Sequence, residues 1–274
     1  MKRKILLLLA LVLFMGNTHA QTFTMARKCR EALANAQAAL INESYQEALS
    51  LYQAFSKKCR TRDAKEAAAV GKAEAYNALG MYAEAIAEAD AALKLTKDRS
   101  LAGHFQKALA LENQGDAMGA KAQLTRMMEL TEKNENTAER ASNYALMADL
   151  YATQMGQMDS AQAYLNRAKQ MDPGNIKYTL QEGDMYLAGG DYDRAYASYD
   201  AAAGMAPNSV DVYIAKSNAS LKKMEEKYGT NSAQELNRNM TEAEKSTLCQ
   251  DLEKAFELGW KDMNKELFKA LICN

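Results

Sequence analysis

The side chains that most often bind metals or act as nucleophiles are few in this sequence: four cysteines and two histidines. Structural zinc sites use Cys and His ligands at short spacings such as CxxC, and no CxxC pair occurs. His104 is the only histidine after the first 20 residues. Because a lone histidine in a helical sequence is most often a packing or surface residue, we expect neither a catalytic role nor a metal site for it.

No group of residues has the spacing that a common catalytic motif requires. A GxSxG nucleophile turn, an HExxH zinc motif and a glycine-rich phosphate loop do not occur. Carboxylates are plentiful, but on helical faces such groups are mostly solvated, so no acid and base pair can be named. We therefore expect no catalytic residue and no bound cofactor, and an enzyme is the weaker alternative.

The first 20 residues have the pattern of an export signal. Residues 2–4 are basic, residues 5–15 are almost wholly apolar, and small residues precede Gln21. The apolar run is well short of the roughly 20 residues that a membrane helix needs, so a membrane anchor is the weaker alternative. No cysteine stands at the cleavage point to accept a lipid. We expect cleavage before Gln21 and a periplasmic or secreted protein without a membrane anchor.

The charge balance gives no reason to expect binding to nucleic acid or to an anionic membrane. Lys and Arg number 34 against 35 Asp and Glu, which leaves a formal net charge of -1. Only two prolines occur, alanine is abundant and β-branched residues are scarce, a composition that favours helix nearly everywhere. An array of helical repeats is therefore the first architecture to consider.

One pattern recurs five times between residues 42 and 207. Each copy has a short turn, then an aromatic residue or methionine, then an alanine, which follows three residues later in four copies and two residues later in the third. The alanines are spaced by 37, 35, 41 and 34 residues, and Pro173 and Pro207 also lie 34 residues apart. Such a period indicates helical hairpins that bury a shared core only when they stack. The anchoring alanines are Ala48, Ala85, Ala120, Ala161 and Ala195.

The clearest copy spans residues 176–209. Gly183 lies on its first helix, Ala195 on its second, and Pro207 closes it. This copy resembles the tetratricopeptide repeat (TPR), and the resemblance covers roughly residues 29–221. The first-helix tryptophan that is usual in that family is absent from every copy.

The resemblance implies an all-α fold, a right-handed α-α superhelix (TPR solenoid) of about five to six helix-turn-helix repeats with a C-terminal helical hairpin. We expect the repeat array at residues 21–221, and an interrupted last repeat with capping helices at residues 222–274. Extra residues at 134–140 separate the third copy from the fourth, with Thr137 as the expected helix cap.

The C-terminal part begins as a sixth copy and is then interrupted. A helix is expected after Ser209, and residues 222–246 interrupt the pattern, either as a binding loop or only as a spacer. Thr241 and Glu244 form a capping box for the next helix, which Gly259 ends. This helix and the final cysteine resemble the closing segment of exported repeat proteins from Bacteroidetes-like bacteria.

The four cysteines lie at the two ends of the predicted array. Cys29 starts the first helix of the first repeat and Cys59 ends its partner helix, so an antiparallel hairpin brings them together. Cys249 and Cys273 have the same relation in the terminal hairpin. Of the three possible pairings, we expect Cys29–Cys59 and Cys249–Cys273; free structural thiols and a metal site are the alternatives.

In the TPR family, the first helices of successive repeats line a concave groove that binds peptides or partner helices. Matching the repeats residue by residue assigns a set of positions to that lining. The Lys, Asn and Arg clamp of the chaperone-binding subgroup is missing, because the matching positions hold apolar residues or acids. The expected lining residues are Leu33, Gln37, Val70, Glu74, Asn77, Phe105, Glu112, Asn113, Asp149, Thr153, Lys177, Asp184, Asp211 and Asn218.

Five of the lining residues are acidic, and four of them, Glu74, Glu112, Asp149 and Asp184, suggest a mildly acidic channel. Our hypothesis is that this channel prefers a neutral or basic protein segment. The alternative is that these acids are simply solvated.

The sequence therefore predicts a scaffold or adaptor that binds a protein or peptide partner. The second hypothesis is a structural subunit of an envelope or secretion assembly, which would expose a large apolar patch and self-associate. Glycan binding is a weaker third possibility, because Trp260 is the only tryptophan. Packing near the Cys249–Cys273 bridge is the expected role of Trp260.

Overall fold

A computed structural model describes residues 25–273, and within this range the chain forms fourteen α-helices and no strand. The expected export signal, residues 1–20, lies outside the described residues. The chain divides into two compact units between Tyr164 and Leu165. The all-α helical repeat expected from the sequence is confirmed.

The first unit is a series of antiparallel helices in which each helix packs against the next, from α1 to α7. The first helices of neighbouring hairpins also contact one another, α1 with α3 and α3 with α5. An eighth helix, α8, begins in this unit and crosses the division. The bounds are α1 Arg27–Ile41, α2 Tyr45–Lys58, α3 Arg62–Ala78, α4 Tyr82–Thr96, α5 Leu101–Gln114, α6 Ala117–Thr131, α7 Thr137–Thr153 and α8 Met158–Met171.

The second unit contains one regular hairpin and an altered last repeat. The hairpin of α9 and α10 packs against α11. The helix that pairs with α11 is α13, and a short helix, α12, lies between them in the chain. The bounds are α9 Ile176–Ala188, α10 Tyr192–Met205, α11 Val210–Tyr228, α12 Ala233–Asn239, α13 Glu242–Glu257 and α14 Met263–Ile272.

The repeating alanines lie where helices pack most closely. All five anchoring alanines identified in the sequence have 0% exposed surface. Opposite them, two tyrosines lie directly on glycines: a Cβ atom at Gly71 would stand 2.1 Å from the ring of Tyr52, and one at Gly183 would stand 2.3 Å from Tyr199. Each tyrosine ring therefore occupies the space in which any residue other than glycine would place its Cβ atom.

Local capping signals explain several helix ends. Thr241 and Glu244 form the predicted capping box at the start of α13. The cap before α7 was expected at Thr137, but it is Asn136, whose side chain accepts a hydrogen bond from the amide of Glu139. Thr137 is the first residue of the helix. The side-chain oxygen of Asn136 pairs with a backbone amide of the first turn that has no partner within the helix. The predicted position of the cap was therefore wrong by one residue.

The interruption at residues 222–246 is largely helical. The sequence indicated a helix that continues to about Tyr228 and another that begins after Thr241, but it did not indicate the short helix between them. The interruption contains the end of α11, the short helix α12 and the start of α13. Leu236 of α12 has 0% exposed surface and belongs to the core that α11, α13 and α14 share. The segment therefore adds a packed element to the last repeat.

None of the helices between residues 25 and 273 combines the length and the apolarity that a bilayer span requires.

Candidate functional site

All four cysteines form disulfides. Cys29 is bonded to Cys59, with their Cα atoms 5.9 Å apart, and Cys249 is bonded to Cys273, with their Cα atoms 5.7 Å apart. This is the pairing that hairpin geometry predicts. The first bridge joins α1 to the end of α2, and the second joins α13 to the end of α14. No cysteine is left as a thiol nucleophile or a metal ligand.

His104 is a packing residue of the first unit. Its ring is buried, with Nδ1 2.8 Å from the side-chain oxygen of Gln123 and Nε2 3.2 Å from the carbonyl oxygen of Asp98. The Asp98 carboxylate lies 3.4 Å from the same Nε2. The histidine therefore links α5 to α6 and to the loop before α5.

Three of the predicted lining residues lie near one another on α5 and α7 of the first unit. The hydroxyl of Thr153 lies 3.4 Å from the carboxylate of Glu112 on α5, and it also donates to the backbone oxygen of Asp149 one turn earlier in α7. Glu112 and Asp149 are half-buried and Thr153 is exposed. Three of the predicted lining residues are thus brought together on neighbouring first helices, and parts of all three reach the surface.

Three predicted lining residues are buried. The amide nitrogen of Asn77 donates to the backbone oxygen and to the side-chain oxygen of Gln106, each at 2.9 Å. Asn77 therefore holds α3 against α5. Phe105 is only 6% exposed, and Leu33 belongs to the core that α1, α2 and α3 share. None of the three can contact a partner directly in this conformation, so the expectation that they line an accessible surface is corrected.

Glu74 is more buried than we would expect of a groove residue that binds a charged partner. Burial raises the pKa of Glu74 above its usual range. Burial also raises the pKa of Tyr52, and the charge of Glu74 adds to that shift. Glu74 is half-buried, so its carboxylate is less accessible to a partner than a fully exposed acid would be.

Asp184 in the second unit has a similar setting. It accepts a 2.6 Å hydrogen bond from the hydroxyl of Tyr199. Burial raises the pKa of Asp184, and the bond from Tyr199 acts in the opposite direction. This acid therefore already has a partner within its own repeat.

The remaining lining residues differ in exposure. Gln37, Asp211 and Asn218 are exposed, whereas Val70, Asn113 and Lys177 are half-buried. The side chain of Asn113 donates to the carbonyl of Leu109 in its own helix. Every lining position other than the three buried ones therefore keeps some surface exposed to solvent.

An ionic cluster around the buried Lys216 and Asp251 in the second unit was not identified from the sequence. The ammonium of Lys216 on α11 lies 2.8 Å from Asp200 and 3.1 Å from Asp251. The hydroxyl of Tyr196 donates to the other oxygen of Asp251 at 2.8 Å. The available signal was the position of Lys216, four residues after the buried Val212 and therefore on the apolar face of α11.

Hydrogen bonds and burial shift the pKa values of Lys216 and Tyr196 in this cluster. Burial would lower the pKa of Lys216, but its bonds to Asp200 and Asp251 outweigh that effect and raise it. Burial and the bond to Asp251 raise the pKa of Tyr196 to about 12. Lys216 is thus a charged structural tie between α10, α11 and α13.

The comparisons with known proteins agree with this architecture. The family model described as "Tetratricopeptide repeat" matches residues 141–175. A search of curated proteins gave no match. Together with the solved structures below, the family match supports a TPR protein.

Three solved structures resemble the chain in fold. A thermophilic TPR protein of Thermus thermophilus is 20% identical with a TM-score of 0.57, over 70% of this chain and 98% of the other. A TPR protein from Parabacteroides merdae is 14% identical with a TM-score of 0.51, over 91% and 100%. A putative kinesin light chain of Podospora anserina with TPR-like repeats is 18% identical with a TM-score of 0.53, over 65% and 94%. At these identities the likeness shows the fold alone.

Proposed function

We propose that the protein is an exported TPR adaptor that binds a neutral or basic segment of a partner protein along the first helices of its repeats. TPR folds serve in general as scaffolds for protein–protein interaction. Export is supported by the N-terminal sequence pattern and by the two disulfides, since disulfides persist in oxidising compartments.

The observation that carries this proposal is the grouping of Glu112, Asp149 and Thr153. The hydroxyl of Thr153 on α7 lies against the carboxylate of Glu112 on α5, and Asp149 stands one turn before Thr153 on the same helix. Each of the three residues keeps part of its surface exposed to solvent. Such groups can accept hydrogen bonds from the amides or cationic side chains of an extended or helical segment. Glu74 and Asp184 are less suited to this role, because burial already raises the pKa of each.

The proposal is tested by reversing the two accessible charges. The double variant Glu112→Lys with Asp149→Lys is compared with the unchanged protein for crosslinked partners in the native cell envelope, read by mass spectrometry. A control double variant, Glu47→Lys with Glu84→Lys, makes the same change in charge at exposed acids on the second helices α2 and α4.

A partner that is lost with the groove variant and retained with the control supports the adaptor. Purified proteins are then compared on an array of basic, neutral and acidic peptides, where the groove variant should lose the basic peptides selectively. A partner that binds both variants equally would place recognition elsewhere and overturn the proposal.

The structural-subunit alternative is favoured by one separate observation, the exposed apolar side chains of α14. Met263 and Leu267 are 78% and 62% exposed. An obligate assembly subunit should be insoluble or aggregated when it is expressed alone, whereas an adaptor should be recovered as a well-behaved protein.

A further inference from the structure

The first disulfide joins two segments that have the same local sequence. Each of its cysteines lies in a Lys-Cys-Arg sequence, at residues 28–30 and 58–60. The two cysteines of the second bridge have no basic neighbour on either side. The first bridge holds the Cα atoms of Cys29 and Cys59 5.9 Å apart, so the basic residues that flank them lie at the same edge of the first unit.

These residues belong to a larger positive surface at the edge where α1 and α3 begin and α2 ends. Segments 27–31 and 57–66 together contain eight basic residues and three acidic ones, although the formal net charge of the whole chain is -1. All eight basic side chains are exposed, whereas two of the three acids are half-buried. The eight basic residues, three within 27–30 and five within 57–65, are here called the basic patch.

Most side chains of the basic patch have no counter-charge. Arg27 pairs with Glu31 at 2.8 Å, whereas the other seven have no ion pair with any described residue. Elsewhere in the first unit, Lys72, Lys107 and Arg126 are each bonded to a carboxylate. The positive charge of the patch therefore remains available to an external anion.

The stability of α1 does not account for this charge. Arg27, Lys28 and Arg30 occupy the first turn of α1, which contains no acid, although the helix dipole favours acids at that place. They are also held near the basic neighbours of Cys59, which repel them. A departure from the usual pattern of a helix start is expected where the side chains serve a function.

We propose that the basic patch binds the surface of a membrane that contains anionic phospholipids. None of the exposed large apolar side chains of the described range lies in segments 27–31 or 57–66, whereas protein interfaces depend on apolar, aromatic or arginine anchors in packed pockets. Long basic side chains without apolar anchors suit a surface of closely spaced phosphates, where each Lys or Arg increases the affinity roughly fivefold. The choice of lipid over nucleic acid rests on the proposed export.

The basic patch and the groove residues of the proposed adaptor lie at opposite edges of the first unit. The patch lies at the starts of α1 and α3, whereas Glu112 and Thr153 lie near the ends of α5 and α7. These four first helices run in the same direction, because each helix of the unit is antiparallel to the next. A membrane at one edge therefore leaves Glu112 and Thr153 free to bind a partner segment.

The test is co-sedimentation of the purified, disulfide-bonded protein, without its expected export signal, with lipid vesicles. We expect binding to vesicles of phosphatidylcholine mixed with phosphatidylglycerol, and no binding to vesicles of phosphatidylcholine alone. Binding should be lost as the salt concentration rises from about 0.1 M to about 1 M, because the screening length falls from about 10 Å to about 3 Å.

A pair of charge-reversed variants assigns the binding to the patch. Lys28→Glu with Lys58→Glu reverses one charge beside each cysteine of the bridge and should lower the affinity for anionic vesicles roughly tenfold or more. Lys222→Glu with Lys261→Glu is the matched control, because it makes the same change in net charge at exposed lysines of the second unit. The control should bind as the unchanged protein does, and circular dichroism checks that both variants are folded.

Equal losses of binding in the two variants, or no binding of the unchanged protein to anionic vesicles, would overturn the proposal. Soluble polyglutamate is tested in parallel, and binding to it without binding to vesicles would assign the patch to an acidic protein segment instead. The vesicle assay contains no partner protein, so its failure leaves the adaptor proposal standing. Failure to capture a partner leaves the vesicle result equally unaffected.

Discussion

The ring of Tyr199 lies so close to Gly183 that a Cβ atom on the glycine would stand 2.3 Å from it. The variant Gly183→Ala must therefore displace the ring, and overpacking of this kind costs about 1–3 kcal/mol. Gly204 provides the control, because it lies in the neighbouring helix α10 with nothing within 4 Å of the added atom. Gly204→Ala should be neutral or stabilise by up to about 1 kcal/mol through helix propensity. Urea denaturation of both variants measures the difference, and equal free energies of unfolding would contradict it.

The bond between Tyr199 and Asp184 makes a second prediction. Tyr199→Phe keeps the ring on Gly183 and removes the hydrogen bond to the half-buried carboxylate of Asp184, which should cost about 1 kcal/mol at neutral pH. The bond opposes the effect of burial on Asp184, so the pKa of Asp184 should rise further in the variant. A carboxyl whose folded-state pKa is raised binds protons more readily when folded, so stability increases as the pH falls through that pKa toward the ordinary aspartate value.

The gain in stability on acidification should therefore be larger for Tyr199→Phe than for the unchanged protein. Free energies of unfolding at pH 7 and at pH 4, close to the ordinary aspartate pKa of 3.8, measure it. An identical pH dependence in the two proteins would show that the hydroxyl does not influence Asp184.

Glu244 should stabilise the last repeat at neutral pH and lose that effect in acid. Its carboxylate accepts hydrogen bonds from Lys227 at 2.6 Å, from Tyr228 at 2.8 Å and from the amide of Thr241 at 2.8 Å. The bond from Lys227, helped by those from Thr241 and Tyr228, lowers the pKa of Glu244 to about 2. Because the folded-state pKa is lowered, the stability is present above the ordinary glutamate value and is lost as the pH falls toward 2.

The variant Glu244→Gln should be less stable at pH 7 and should lose less stability between pH 5 and pH 3. Glu253→Gln, at an exposed position of the same helix, is the control and should behave as the unchanged protein. Thermal melts across this pH range test the prediction, which fails if the two variants have the same pH profile.

Removal of one member of the ionic cluster around Lys216 should be strongly destabilising. Lys216→Met leaves the carboxylate of Asp251, which is 4% exposed, without its cation, and such losses cost about 3–5 kcal/mol. The double variant Lys216→Met with Asp251→Leu should recover much of the loss, because no unpaired charge is left. Guanidinium denaturation of the single and double variants checks this, and an additive double variant would contradict it.

The Cys249–Cys273 bridge should stabilise α13 and α14 in particular. Replacing both cysteines with alanine opens a covalent loop with a sequence separation of 24, for which the expected loss is about 3 kcal/mol. Hydrogen exchange should become faster in α14 before it changes elsewhere, because a terminal element has a neighbour on one side only. The matched variant without Cys29 and Cys59 should leave exchange in α14 unchanged, and equal effects of both variants on α14 would exclude a local role.

The sequence by itself determined the helices, their pairing into hairpins and the partners of the cysteines. These features depend on short-range patterns: Ala48 and Ala195 mark the close approach of helices, Thr241 with Glu244 caps one, and the two ends of a hairpin are neighbours whatever surrounds them. The all-α repeat could be predicted for the same reason, because one period of about 34 residues repeats the same local packing.

Only the tertiary structure decided which polar residues are accessible and which are buried. Asn77 and Phe105 have the sequence register of groove residues, yet both are buried, and Asn77 is bonded to Gln106 of the next repeat. Lys216 is a charged residue with a buried position because Asp200 and Asp251 arrive from two other helices. Burial of a polar side chain depends on partners that are distant in sequence. A repeat pattern specifies where the backbone of each helix lies, but it does not specify which neighbouring side chain fills the space beside a given residue.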